Sequence, residues 1–225
     1  LALRETDAPR RSSLVGRVVE GVRQAGSFSA PEGWAVLVAG LRQGASPDLL
    51  ANLNELDALA GDEASRAYYR GHLADEKAPL PARQRALAVL VASRDRAAAP
   101  VIHQVLAEKT TPSFRRALIQ ALATVGDENS PAVLLGRFGV FSPEQLTDAV
   151  AALASNAAGG KALLAAVAAG KADKALLSPL VVRQLKSLGD QDLDGQLAAV
   201  VGVVNATKAD FAKTKAKYEA MLKPE

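Results

Sequence analysis

The sequence predicts an all-α protein, an α-solenoid (superhelix) of about six antiparallel helix pairs followed by a C-terminal helix. Prolines recur every 31 to 36 residues, and each precedes or opens an amphipathic segment. They are Pro47, Pro81, Pro112, Pro143 and Pro179. No convincing stretch shows the period-two alternation of a β-strand. Because one short helix pair cannot bury its apolar face alone, we expect neighbouring pairs to stack.

The composition supports a folded helical core and excludes several chemistries. Of 225 residues, 49% are apolar but only 4% aromatic, so alanine and leucine supply most of the core. The absence of cysteine excludes disulfides, thiolate metal sites and cysteine nucleophiles. A net charge of +3 is too small to indicate a nucleic-acid-binding protein, and no apolar run reaches transmembrane length. Because the first residue is Leu1 and no signal peptide follows, we expect a piece of a longer chain.

The first helix of each pair carries a repeated pattern. Proline suits the first helical position, where its missing N–H would be unpaired anyway. Three copies share an arginine four residues after the proline and a leucine six residues after it. The arginines are Arg85, Arg116 and Arg183, and the leucines are Leu87, Leu118 and Leu185. The Pro143 copy differs, with Thr147 in place of the arginine and an apolar face displaced by about one residue.

A second apolar stripe follows each first helix after a polar or glycine-containing turn. The clearest has the spacing i, i+4, i+7, i+8, i+11 and consists of Leu193, Leu197, Val200, Val201 and Val204. We therefore predict one domain over residues 1–225. It comprises an N-terminal capping pair (1–46), repeats (47–207) and a lysine-rich C-terminal helix (208–225) that caps the stack or contacts a neighbouring domain.

Two segments resemble HEAT repeats: RRALIQALATVGDENSPAVLL from Arg115 and VVRQLKSLGDQDLDGQLAAVVG from Val181. With the closing KTKAKYEAMLKPE (213–225), the chain also resembles the HEAT-repeat segment of large bacterial multidomain PVC-type haem-binding (membrane-bound dehydrogenase-like) proteins. This resemblance implies a connector between a β-propeller and a c-type cytochrome domain, in a periplasmic or exported protein. Haem attachment in that family needs Cys-x-x-Cys-His, which this chain lacks, so no cofactor is expected here.

The most conspicuous candidate metal site is Asp190–Gly195. Asp190, Asp192 and Asp194 occupy positions 1, 3 and 5 of an EF-hand-like loop, with glycine at position 6. Position 12, which should be a bidentate glutamate, is Val201. We therefore reject a calcium loop and predict a turn in which Asp192 or Asp194 caps the following helix.

No catalytic, cofactor-binding or metal-ligating residue is predicted. Gly159-Gly160-Lys161 departs from a phosphate loop and is expected at a helix end or turn. Of the two histidines, His103 is a candidate contact on the concave face, which second helices line in HEAT pairs. The pairs Asp62-Glu63 and Asp127-Glu128 should lie at helix starts. The aromatic side chains of Trp34, Tyr68 and Tyr69 should fill the core.

The predicted function is a non-catalytic structural or protein-interaction scaffold, most specifically an inter-domain connector in a larger exported redox protein. Its partners would be flanking domains of the same chain, without nucleic acid or membrane insertion. Two alternatives stay open: a nucleic-acid-binding HEAT-like protein, such as a relative of DNA glycosylases, and a stand-alone peptide-binding solenoid.

Overall fold

A computed structural model of the chain describes residues 7–25 and 28–201. These residues form twelve α-helices, three short 3₁₀ turns and no β-strand. The helices are α1 (Ala8–Ala25), α2 (Trp34–Arg42), α3 (Pro47–Ala60), α4 (Glu63–Ala74), α5 (Leu80–Ala92), α6 (Ala99–Ala107), α7 (Pro112–Val125), α8 (Ser130–Leu135), α9 (Pro143–Leu153), α10 (Ala157–Ala168), α11 (Pro179–Ser187) and α12 (Gln191–Val201). The all-α prediction is confirmed, whereas the predicted C-terminal helix and Val204 lie outside the described residues.

The repeated prolines open helices as predicted. Four of them are the first residue of α3, α7, α9 and α11, and Pro81 is the second residue of α5. A hydroxyl residue precedes each of the four and accepts a hydrogen bond from the third helical amide. These caps are Ser46, Thr111, Ser142 and Ser178. Proline suits the first helical position, and the hydroxyl before it accepts a hydrogen bond from the third amide of the helix. Together these two features explain why the four helices begin at their prolines.

The chain divides into two compact units, Leu1–Val133 and Leu134–Glu225. In the first unit, α3 contacts both α1 and α5, and α5 in turn contacts α7. The helix α4 contacts α3, α5 and α6. Fully buried side chains from successive helices form the core of this unit, among them Leu53, Leu73, Leu90, Ile102 and Phe114. The prediction of one continuous domain stays a prediction.

In the second unit, α10 contacts α9 and α12, and α11 contacts α12. Its core contains Leu153, Leu163, Leu185 and Leu193. Gly160 lies in the first turns of α10, and a Cβ built on it would lie 2.7 Å from Cδ2 of Leu185. The prediction that this glycine lies in a helix end or turn is therefore refined: it is inside α10, and its lack of a side chain permits the close packing.

Within the described residues, no helix is both long and apolar enough to cross a membrane.

Candidate functional site

His103 lies on α6 beside the residues that begin α8. Its Nε2 is 2.9 Å from Oγ of Ser130 and 3.7 Å from Oδ1 of Asp127. The Ser130 hydroxyl donates to Asp127 Oδ1 at 3.0 Å, so Nε2–H of neutral His103 is left to donate to Oγ. The imidazole is 14% exposed, and burial lowers its pKa although Asp127 opposes the shift. His103 thus links α6 to the start of α8.

This cluster contains the residue types of a serine-hydrolase triad but not its geometry. In a triad, serine and aspartate bind opposite nitrogens of the imidazole. Here both approach Nε2, and Asp127 instead accepts hydrogen bonds from the backbone N–H groups of Asn129 and Ser130, both at 3.0 Å. Burial would raise the pKa of Asp127, but the Ser130 hydroxyl, His103 and these amides together lower it. The arrangement is a helix cap, and contact between His103 and a partner stays a prediction.

The acidic segment at Asp190 also forms a helix cap. The Asp190 carboxylate accepts a hydrogen bond from the Leu193 amide at 3.0 Å, and α12 begins at Gln191. The prediction that Asp192 or Asp194 is the cap was therefore wrong, because α12 begins two to four residues earlier than a helix capped by either of them would. Lys161 of α10 lies 3.0 Å from the carboxylates of both Asp190 and Asp192. Among the described residues, no group of three or more histidine, aspartate or glutamate side chains is arranged to hold a metal ion.

An open groove of about 570 Å³ is formed by α2, α3 and the start of α4. Its polar floor is the Asp57 carboxylate, which accepts hydrogen bonds from the Trp34 indole at 2.9 Å and from Arg42 at 2.8 Å. Asp62, at its edge, caps α4 through the Ser65 amide at 2.7 Å. Asp57 and Asp62 already accept hydrogen bonds, so neither is placed to act as a general acid or base. The groove instead presents a concave surface that includes aromatic side chains.

The aromatic residues divide between core and groove. Tyr69 is buried, as predicted, and burial raises its pKa to about 12. Trp34 is partly buried against the N-terminal core. Tyr68 is 51% exposed and lines the groove, so the prediction that it fills the core was wrong. Neighbouring positions on a helix lie about 100° apart, so the two adjacent tyrosines project in different directions, Tyr69 into the core and Tyr68 toward the groove.

The most unusual charged group in the first unit is Glu55, which is fully buried. Its carboxylate pairs with Arg23 of α1 and, at 3.1 Å, with Arg85 of α5. Sequence reasoning did not single out Glu55. Its only signal is an acid on the apolar side of LLANLNELDALA, together with an arginine one repeat further along the chain.

Comparison of the chain with models of known protein families finds no match, and comparison with curated proteins finds none either. The resemblance to HEAT-repeat proteins therefore depends on the sequence segments alone.

Proposed function

We propose that this chain is a non-catalytic scaffold, a stack of about six helix pairs that holds attached domains or partners at a fixed spacing. The single observation that carries the proposal is the Glu55 cluster. One buried carboxylate joins three helices, α1, α3 and α5, that follow one another at every second position along the chain. Such a tie restrains the spacing between neighbouring pairs, which is what a spacer requires.

Other arginines support the same proposal by joining successive helices at their ends. Arg66 of α4 donates to the carbonyl of Ala58 in α3 at 3.1 Å and to that of Ser93 after α5 at 3.0 Å. Arg83 of α5 donates to the carbonyl of Leu73 in α4 and to the Glu108 carboxylate after α6. Because the last carbonyls of a helix have no partner within it, these side chains satisfy polar groups while fixing helix positions.

The charge pattern favours a scaffold over the nucleic-acid-binding alternative. Nucleic-acid binders present unpaired lysine and arginine to phosphates. Here Arg23 and Arg85 share Glu55, Arg42 pairs with Asp57 at 2.8 Å, and Arg70 pairs with Asp95 at 2.6 Å. The arginines of these helices are therefore largely used within the fold.

Rigidity can be measured directly because the chain has no cysteine to replace before labelling. Spin labels at Arg17→Cys in α1 and Ala123→Cys in α7 report the spacing across the first unit by electron–electron double resonance. A scaffold should give one narrow distance distribution, and Glu55→Ala should broaden it. A broad distribution with Glu55 intact would overturn the proposal.

The connector role within an exported redox protein is supported by the family resemblance only. Sequencing the reading frame around the segment tests this part separately. Coding sequence for a propeller on one side and a Cys-x-x-Cys-His domain on the other supports the role. A reading frame confined to these 225 residues would contradict the connector while leaving the rigid scaffold intact.

A further inference from the structure

A cavity of about 350 Å³ in the first unit is lined by three arginines. It lies where α3 and α5 end, beside α1 and α4. The arginines are Arg23, Arg66 and Arg94, and none of the described residues that line the cavity is acidic. Uncharged lining residues include Phe28 and Ser93. A concave site lined by one sign of charge concentrates counter-ions, so this cavity favours anions.

Helix C-termini normally repel anions, because their free carbonyls carry partial negative charge. In this cavity Arg66 donates to the carbonyls of Ala58 and Ser93, which belong to the ends of α3 and α5. Its guanidinium therefore offsets the negative ends of both helices. Arg23 pairs with the buried Glu55 and lies 3.8 Å from Glu20, so its charge is offset by carboxylates. What remains at the cavity, among the described residues that line it, is the charge of Arg94.

Arg94 has the left-handed backbone that normally selects glycine, with a φ of 49°. The turn that ends α3 has the same hydrogen-bond pattern, and there the equivalent residue is Gly61, with a φ of 98°. In both turns the next amide bonds back to a carbonyl five residues earlier, Asp95 to Leu90 and Asp62 to Asp57. A side chain in this conformation costs stability relative to glycine.

The Arg94 guanidinium makes no hydrogen bond or ion pair with any residue that the structure describes. Within the described residues, no hydrogen bond or ion pair of this side chain therefore offsets the strain of the Arg94 backbone. Strain of this kind is retained where a side chain is needed for function.

We propose that this cavity binds an oxyanion group, phosphate or carboxylate, with the Arg94 guanidinium as its ligand. Guanidinium groups match both ligand classes, because their N–H groups form paired hydrogen bonds to two oxygens. The ligand Arg94 lies at the end of α5 and is not one of the arginines that join helices, although Arg23 and Arg66, which also line the cavity, are.

Titration calorimetry of the whole chain at low salt tests the site with two probes, inorganic phosphate and citrate. Arg94→Gly should weaken binding at least tenfold while keeping or raising Tm, because glycine relieves the strained turn. This combination separates a ligand role from a folding role. Arg17→Ala is the matched control, removing an exposed arginine of α1 outside the cavity, and it should leave binding within about twofold of the parent.

Saturable binding of either probe that Arg94→Gly abolishes supports the proposal. Phosphate alone then identifies a phosphate-bearing ligand, and citrate alone identifies a carboxylate. Absence of saturable binding for both probes overturns the proposal. So does equal binding by the Arg94→Gly variant and the parent, or an equal loss in Arg17→Ala.

Discussion

The carboxylate of Glu55 lies 3.1 Å from Nη2 of Arg85, although the glutamate is fully buried and the arginine side chain is 44% exposed. The ion pair therefore joins a carboxylate in the interior to an arginine side chain at the surface. Thirty residues, about one repeat, separate the two. The pair thus joins α3 to α5, the next helix but one along the chain.

Glu55→Ala should destabilise the protein by about 2–4 kcal/mol, because it leaves two guanidinium groups facing an emptied site in the core. Urea unfolding monitored by circular dichroism measures the change. Glu20→Ala is the control, since Glu20 is 58% exposed and lies 3.8 Å from Arg23, and it should change stability by less than about 0.5 kcal/mol. Similar small effects of both substitutions would contradict a structural role for Glu55.

His103 should make the free energy of unfolding depend on pH at and below about pH 6.5, the ordinary pKa of histidine. Burial lowers its pKa, so below about pH 6.5 the unfolded chain binds the proton more readily than the folded chain. The stabilisation is complete above that pH and is lost as pH falls through the lowered pKa. His103→Gln keeps a donor near Ser130 and should flatten the profile between pH 7.5 and 5, measured by urea unfolding. An unchanged slope in His103→Gln would refute the assignment.

Tyr69 should lower the free energy of unfolding at alkaline pH. Burial raises its pKa to about 12, so from pH 10 upward the unfolded chain loses the phenolic proton before the folded chain does. Stability should fall by about 1.4 kcal/mol from this group between pH 9 and 11, since one pKa unit corresponds to that energy. Tyr69→Phe should lack this component in unfolding experiments at the two pH values. Tyr68→Phe should retain it, and equal losses in both variants would argue against the assignment.

Two glycines of the second unit should respond oppositely to alanine. A Cβ at Gly160 would meet Leu185 at 2.7 Å and Leu193 at 3.1 Å, so Gly160→Ala should destabilise by about 1–2 kcal/mol. A Cβ at Gly195, in α12, meets nothing within 4 Å, and Gly195→Ala should stabilise by about 0.5–1 kcal/mol through helix propensity. Thermal unfolding of the two variants provides the comparison. Stabilisation by both would show that α10 does not pack as closely as the structure indicates.

Local features of the fold were readable from the sequence. The prolines mark the starts of α3, α5, α7, α9 and α11, and Asp62 and Asp127 lie at helix starts as predicted. These features depend on residues three or four apart, whose geometry a helix fixes in advance. Even so, the cap of α12 was misplaced by two residues or more, because Asp190, Asp192 and Asp194 are chemically equivalent candidates and only the path of the backbone selects one.

The sequence by itself determined that the chain is helical, where most of its helices begin, and that it has no cysteine chemistry. Only the tertiary structure decided that Ser130 meets His103, that Glu55 joins Arg23 to Arg85, and that Arg94 lies in a left-handed turn beside two other arginines. The physical reason is range. Caps and periodicity arise within one helical turn. The partners of His103 and of Glu55 lie 27 to 32 residues away along the chain, and they are brought together only when helices pack on one another.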